Sequence, residues 1–414
     1  MNLEADVCVI GAGVAGLRCA IELQDRGFQV MVIEAGDEVG GRIRTDTING
    51  YKLDRGFQVL LTAYAECSRV LDFDGLQLGM FDPGAWIWTG GPKLAKVIDP
   101  WRRPGQIFQA AFSPVGTIKD KWKVAGLRKR LSRTAIEQIY RGDESTAMDY
   151  LRALGFSDSF IEQFFRPFYS GIFLETDLST ANTMFEFVFK MFGRGYAALP
   201  AGGMQAIPDQ LLGQLQEDTV HLGSPVESVT ARGATLASGA IVNARAVIVA
   251  TDMSAASQLT EGVVEDRGWN ATQCFYFSAD ETPLPSPMIA LNGQGKGYIN
   301  NIAVPSDVSA GYAPSDKSLI CVSTNSVVES STIRNELKTW FGSVVDDWSE
   351  IQRYTIPQSL PRQSPGDNGY GHSALNLENG IWVCGDYRFS SSTEGAMQSG
   401  RAVGEAVAAH LAES

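Results

Sequence analysis

Gly11-Ala12-Gly13-Val14-Ala15-Gly16 follows the short apolar run Ala5–Ile10 and opens a stretch of helical spacing that runs from Val14 to about Arg26. Leu17, Ala20, Ile21 and Leu23 share one side of that stretch, and Gly27 lies just past its end. A second, almost continuous apolar run, Gln29–Ile33, ends on the acid Glu34. Such a run suits a parallel strand covered by helices on both faces. A GxGxxG pattern alone says little. Flanked by a strand, a helix and a second strand ending in an acid, it has the context that a dinucleotide turn requires. Gly11 permits the tight turn, Gly13 lets the backbone approach a pyrophosphate, and Gly16 allows the helix to pack closely on the strand. The helix start at Ala15 presents free amides to the phosphates, and Glu34, followed by Ala35, accepts from a ribose.

A second glycine pair, Gly40-Gly41-Arg42-Ile43-Arg44-Thr45, arrives six residues after Glu34 and suits a further approach of the chain to a diphosphate, with Arg42 offering a forked guanidinium. Further along come Tyr51-Lys52-Leu53-Asp54-Arg55-Gly56, Leu199-Pro200-Ala201-Gly202-Gly203-Met204 and Ala250-Thr251-Asp252. The last pieces are Gly385-Asp386 and Glu394-Gly395-Ala396-Met397. In this order, and spread over the whole chain, they resemble the FAD-binding superfamily of flavin amine oxidases, protoporphyrinogen oxidases and phytoene-type carotenoid desaturases. The resemblance implies non-covalent FAD. Asp386, after Gly385, would hold a ribityl or bridging-water contact. Gly395, Ala396 and Met397 would present helix-start amides to the flavin pyrimidine edge, where the dipole end favours negative charge. Val226, after Ser224-Pro225, would contact the adenine. NAD as the only cofactor does not account for Gly40–Thr45 or for Gly385–Met397.

The chain enters one domain, leaves it and returns twice. Short strands are expected at Val220–Leu222, Pro225–Thr230, Gly239–Asn243, Ala246–Ala250 and Gly380–Cys384, with a helix from Gly395 to Leu411. The expected fold class is α/β: a discontinuous, doubly wound Rossmann-like FAD-binding domain (1–75, 198–261 and 370–414) with a second α+β substrate domain (76–197 and 262–369). In the second domain, residues after about Lys119 read as mostly helical, and Met184–Phe192 reads as a buried helix with Glu186 and Lys190 paired at i,i+4. Strands are expected at Thr272–Ser278, Met288–Leu291, Tyr298–Ala303 and Leu319–Thr324, and a helix at about Ser331–Phe341.

The 414 residues, 44% hydrophobic and 20% charged, have ordinary globular composition, which argues against disorder and fibrous folds. The net charge of −13 argues against sequence-independent nucleic-acid binding. Three histidines, His221, His372 and His410, are too scattered for a metal site. Six cysteines lack paired spacing and read as buried thiols. With Glu4 and Asp6 where a signal peptide would be basic then apolar, the chain reads as cytoplasmic.

No catalytic side chain is assigned, because flavin N5 itself accepts a hydride while the protein positions the substrate. Phe164, Phe165, Phe168, Tyr169, Phe173, Phe185, Phe187, Phe189, Met191, Phe192 and Tyr196 are candidate walls for a small, largely apolar or conjugated substrate, or else core. Arg166 suits a substrate carboxylate or pairing with Glu162, Glu175 or Asp177. The resemblance makes an N5-facing lysine the mark of the amine oxidases, and none of Lys296, Lys317 and Lys338 is a convincing match. Tyr387 is a candidate for an amine-binding aromatic sandwich. Residues 91–133 carry eleven Lys or Arg against two Asp, a local +9 in an acidic chain, interleaved with Trp101, Phe108, Phe112 and Trp122. That mixture suits a peripheral membrane contact or a solvated face. The expected function is FAD-dependent removal of a hydride from a C–H bond of a bulky substrate, as in desaturases or protoporphyrinogen oxidases. The alternatives are an amine oxidase acting on a C–N bond and a non-catalytic flavin redox sensor.

Overall fold

The structure, a computed structural model, describes residues 2–91, 93–367 and 375–413. His372 and the expected domain boundary at 369/370 lie outside the described residues. A seven-stranded sheet is built around a parallel centre in the order Val220–His221, Val30–Ile33, Asn2–Ile10, Ile241–Val249. Trp382–Val383 pairs in parallel with the end of Ile241–Val249, and Gly233–Leu236 and Val226–Thr230 continue the sheet antiparallel. The register aligns Ile10 with Ile33 and with Val249, and Val249 with Val383. Gly11, Glu34, Ala250 and Cys384 therefore leave the sheet along one edge, the carboxyl ends of its parallel strands, where open α/β sheets bind ligands.

The helices Val14–Gln24 and Thr393–Glu413 pack on this sheet and on each other. Glycine makes the second contact feasible: a Cβ on Gly400 would lie 2.2 Å from the Ala15 carbonyl oxygen, and one on Gly404 would lie 2.8 Å from Glu22 Cβ. Val7, Val9, Leu17, Leu23, Val32, Ile248, Met397, Val403 and Val407 fill the interior between helices and sheet.

A second seven-stranded sheet runs Ser349–Pro361, Trp269–Ala279, Ser318–Thr324, Ile299–Ala303, Ile289–Asn292, Gly84–Trp88, Leu94–Ile98. Its neighbours are antiparallel except for Ile289–Asn292 beside Gly84–Trp88. The helices Ile118–Arg133, Arg166–Phe173 and Asn182–Arg194 belong to the same half of the molecule. The architecture is α/β with a second part of α+β character, as the sequence predicts.

The details differ in instructive places. Gly239–Asn243 and Ala246–Ala250 are one strand, Ile241–Val249, and Gly84–Trp88, Leu94–Ile98 and Ser349–Pro361 are strands the spacing does not announce. Ser349–Pro361 contains Pro357 and lies at a sheet edge, where a missing amide donor is tolerated. Glu186 and Lys190 do not pair. Glu186 accepts from Arg130 at 2.5 Å and from the Tyr150 hydroxyl, while Lys190 Nζ donates at 2.6 Å to the carbonyls of both Leu131 and Thr134, closing the end of Ile118–Arg133. Those carbonyls have no acceptor duty within their own helix, so a buried ammonium serves them better than a carboxylate four residues away. All six cysteines are buried free thiols.

Candidate functional site

At the carboxyl edge of the first sheet the two glycine turns meet: Gly13 and Gly40 form a parallel bridge, and the Gly40 amide donates to the Ala12 carbonyl at 2.9 Å. The glycines divide into two kinds. A Cβ on Gly11 would lie 2.8 Å from the Ala250 oxygen, and one on Gly16 would lie 2.0 Å from the Gly11 oxygen, so both serve close packing. A Cβ on Gly13 would meet nothing within 4 Å, and one on Gly41 only the Gly13 Cα at 3.5 Å. Gly13 and Gly41 thus face open space. The Val14–Gln24 helix begins there with Gly13 as its cap, no side-chain cap and no acid in its first turn, leaving donors for an anion. Glu34 turns its carboxylate into the same turn, accepting from the amides of Ala12 and Gly36, both at 2.7 Å.

Around this cradle lies a cavity of about 1260 Å³. Of the residues expected from the sequence, Gly11, Gly13, Ala15, Glu34, Ala35, Gly41, Arg42, Val226, Gly385, Asp386 and Ala396 line it. Gly16, Gly395 and Met397 do not: Gly16 is pressed on Gly11, a Cβ on Gly395 would lie 2.0 Å from the Ser390 oxygen, and Met397 is wholly buried. The helix meant to supply amides at 395–397 starts earlier. Ser392 caps it, its Oγ accepting from the Gly395 amide at 3.0 Å and its carbonyl from Ala396 at 2.9 Å. The positive end of the helix is therefore at Thr393, which lines the cavity with Ser391 and Ser392. A serine three residues before Gly395 is the capping signal that marks this start in the sequence.

Arg42 does not point a free fork at a phosphate. It donates to Asp386 Oδ1 at 2.7 Å and to the Ser359 carbonyl at 3.1 Å and lies over Trp269, tying the two glycine turns together. Asp386 is buried, and Arg42 supplies a counter-charge beside it. Asp54, also buried, ties the Tyr51–Asp54 strand to both halves of the molecule. It accepts from Thr45 Oγ1, the Met204 amide and the Tyr312 hydroxyl, and burial pushes its carboxyl up to about 6 in spite of these donors.

The cavity continues from the cradle past Phe57, Gln58 and Val59 into a chamber walled by Phe160, Phe164, Phe165, Phe168, Tyr169, Ile172, Phe189, Phe192 and Tyr196. Phe173, Phe185, Phe187 and Met191, also expected as walls, are buried core instead. Arg166 is engaged by Glu162 at 2.6 Å and the Thr176 carbonyl. Tyr387 is buried, its hydroxyl 3.4 Å from the Cys384 carbonyl, and does not face the cavity. Lys296 sits in an exposed turn, and Lys317 and Lys338 pair with Asp280 and Asp346. None of the three lines the cavity. Residues that sequence reasoning missed include Gln58, Asn301 and Ile118, the last of which joins Trp101, Phe112 and Trp122 of the basic segment at the cavity mouth.

The family model described as flavin containing amine oxidoreductase matches residues 14–408. The chain belongs to that family. Protoporphyrinogen oxidase 2 of Arabidopsis thaliana is 28% identical over 257 residues, covering 54% of this chain and 50% of that protein. The zeta-carotene-forming phytoene desaturase of Myxococcus xanthus is 27% identical over 286 residues, covering 60% of this chain and 53% of its own length. The chain thus matches about half the length of these curated relatives. Putrescine oxidase bound to putrescine has the same fold, with a TM-score of 0.75 at 16% identity over 99% of this chain and 100% of that one.

The family's cofactor is FAD, and the cradle suits it. Open backbone at Gly13 and Gly41, uncapped helix amides and the acid Glu34 are the donor and acceptor set for a diphosphate with its ribose. At the other end of the cradle, Asp386 and the start of the Thr393–Glu413 helix border the chamber side of the cavity. Among the described residues, no group of three or more His, Cys, Asp or Glu side chains is placed to hold a metal, and no helix is long and apolar enough to cross a membrane.

Proposed function

We propose that this protein is an FAD-dependent oxidoreductase that removes a hydride from a C–H bond of a bulky, largely apolar or conjugated small molecule. One observation carries the reading: a single cavity joins the glycine cradle to an aromatic chamber and then to the surface. FAD, when bound, supplies the hydride acceptor. The chain supplies the rest. Gly13, Gly41 and the amides of Val14–Gln24 hold the diphosphate, Glu34 the ribose, and Val226 the adenine. Asp386, paired with Arg42, holds the ribityl side, and the dipole end at Thr393 favours negative charge beside it. Phe164, Phe168, Phe189 and Phe192 orient an apolar substrate and exclude water. In this reading 1–75, 198–261 and 370–414 form the cofactor domain, and 76–197 and 262–369 the substrate domain.

The relatives' names span amines, porphyrins and carotenoids. The chamber favours the last two classes, because none of Lys296, Lys317 and Lys338 lines it, Lys121 is held by the Ala111 and Ser113 carbonyls, and Tyr387 is buried away from it. The test is to identify the flavin released by mild acid, then screen polyenes, porphyrinogens and amines for anaerobic bleaching of the bound flavin. Bleaching by amines alone makes the protein an amine oxidase. A bound flavin that photoreduces and reoxidises, yet is bleached by none of the three, makes it a sensor.

The mouth supports entry from a lipid surface. Phe112 is 83% exposed, Phe108 76%, Trp122 75% and Ile118 69%, and three of these four line the opening. Exposed apolar side chains clustered in this way mark an interaction site. Four arginines of the basic segment are engaged within the fold by three carboxylates: Arg102 and Arg128 by Asp99, Arg103 by Asp82, Arg130 by Glu186. Lys93, Lys119 and Lys129 remain exposed, each worth about 1 kcal/mol near an anionic bilayer. Cosedimentation with anionic but not neutral vesicles, lost in Phe112→Ser/Trp122→Ser, is the expected result. Equal pelleting of that variant and the wild type defeats the idea.

A further inference from the structure

The chamber wall is interrupted by one buried amide. Asn301, in the strand Ile299–Ala303, is 2% exposed and lines the cavity with Phe168, Ile172 and Ile289. Its Oδ1 has no hydrogen-bond partner, and its Nδ2 donates to no described residue. Its asparagine neighbours behave differently. Asn300 donates to the Pro167 carbonyl at 3.1 Å, Asn325 to Ser170 at 2.9 Å and Asn270 to Phe173 at 2.8 Å, so these three pin the helix Arg166–Phe173. Asn301 is brought to the same side by a register shift between Ile299 and Asn301, which lets two consecutive side chains face the helix. Room for it exists because position 171 is glycine, where a Cβ would lie 2.6 Å from Asn301 Nδ2.

A buried polar group without a partner carries its full desolvation cost, and a leucine in an aromatic wall would avoid that cost. We propose that Asn301 is a specificity-determining residue that reads a neutral oxygen function, a hydroxyl or a carbonyl, on an otherwise apolar substrate. An amide offers one acceptor and two donors, which suits either group. The charged side chains at the mouth are each engaged by protein groups, whereas Asn301 Oδ1 is not. Asp99 pairs with both Arg102 and Arg128, Asp82 with Arg103, and Lys121 donates to the carbonyls of Ala111 and Ser113. This inference rests on the apolar-substrate reading above and adds the polar group that such a substrate carries.

The experiment measures equilibrium binding to the FAD-loaded protein, by the shift of flavin absorbance, of geranylgeraniol and of the matching hydrocarbon without the hydroxyl. The wild type is expected to bind the alcohol at least tenfold more tightly. Asn301→Leu should reduce that preference to under twofold while binding the hydrocarbon at least as well. Gly171→Ala, which displaces the amide without altering Asn301, should shrink the preference too, and it decides the matter if Asn301→Leu does not fold. Equal affinity for the two probes in the wild type, or an unchanged preference in both variants, overturns the role of Asn301 and leaves the apolar reading standing. Binding of neither probe overturns both.

Discussion

Replacing Asp54 by asparagine would remove one titrating carboxyl from the junction of the two sheets while keeping its shape. Oδ1 accepts from Thr45 Oγ1 at 2.5 Å and the Met204 amide at 3.0 Å, Oδ2 accepts from the Tyr312 hydroxyl at 2.7 Å, and the Asp54 carbonyl accepts from Tyr276 at 2.8 Å. Burial outweighs these donors and raises the carboxyl from its ordinary 3.8 to about 6. At about 1.36 kcal/mol per pKa unit, the gap corresponds to ~3 kcal/mol. Between the two values the folded chain binds the proton and the unfolded chain does not, so stability is greatest at the acid side and falls as pH rises through about 6. Asp54→Asn has no such titration. Urea unfolding of the FAD-saturated wild type and variant at several pH values from 4 to 8 isolates it, because every other group titrates in both. The variant should gain about 2–3 kcal/mol relative to wild type across that range, mostly between pH 4 and 6. A wild-type-minus-variant difference that is flat with pH, or that moves the other way, refutes the reasoning.

Gly13→Ala and Gly16→Ala should separate binding from folding. The first meets no protein atom and should keep its thermal midpoint while losing flavin retention, whereas the second collides with the Gly11 carbonyl and should destabilise the apoprotein itself. Equal thermal loss in both would show that Gly13 is structural. Glu34→Ala leaves the amides of Ala12 and Gly36 unpaired and should weaken FAD binding by about 1–3 kcal/mol, read by flavin dissociation during dilution; retention equal to wild type removes Glu34 from the site. Lys190→Met strips two helix-end carbonyls of their donor and should lower stability by about 1–3 kcal/mol in denaturant unfolding, with flavin content unchanged. A variant as stable as the wild type would mean that those carbonyls find another partner.

The cofactor half was legible because its demands are local. Gly11 through Glu34 must turn, approach and pack within a few residues, and each demand selects a residue type that can be read directly. The same logic locates Gly41 and Asp386. It goes astray by two residues at the last helix, which starts at Thr393 behind its cap Ser392 rather than at Gly395, and at Arg42, whose fork is taken by a residue far along the chain. The chamber was legible as a collection of aromatics but not as a surface. Phe165 and Phe185 have the same spacing and chemistry, yet one lines the cavity and the other is core, because helix packing in three dimensions makes the choice. Asn301 had no signal at all, since its position depends on a register shift between strands and a glycine on another element.

The contact of Gly400 with Ala15 has a consequence in time. The first glycine turn leaves the ribosome before the rest of the cavity lining, and Gly385, Asp386 and the helix that leans on Ala15 follow only after the whole second sheet. At about 5–20 residues per second, roughly 20–80 s separate Gly11 from Ala396. Throughout that interval the nascent chain has one jaw of a clamp and not the other. The backbone around Ala15 and Cys19, destined to lie against glycines, stays uncovered until the last helix docks. A ribosome halted before residue 385 should therefore release a chain with no grip on flavin at all, rather than one with a weakened grip.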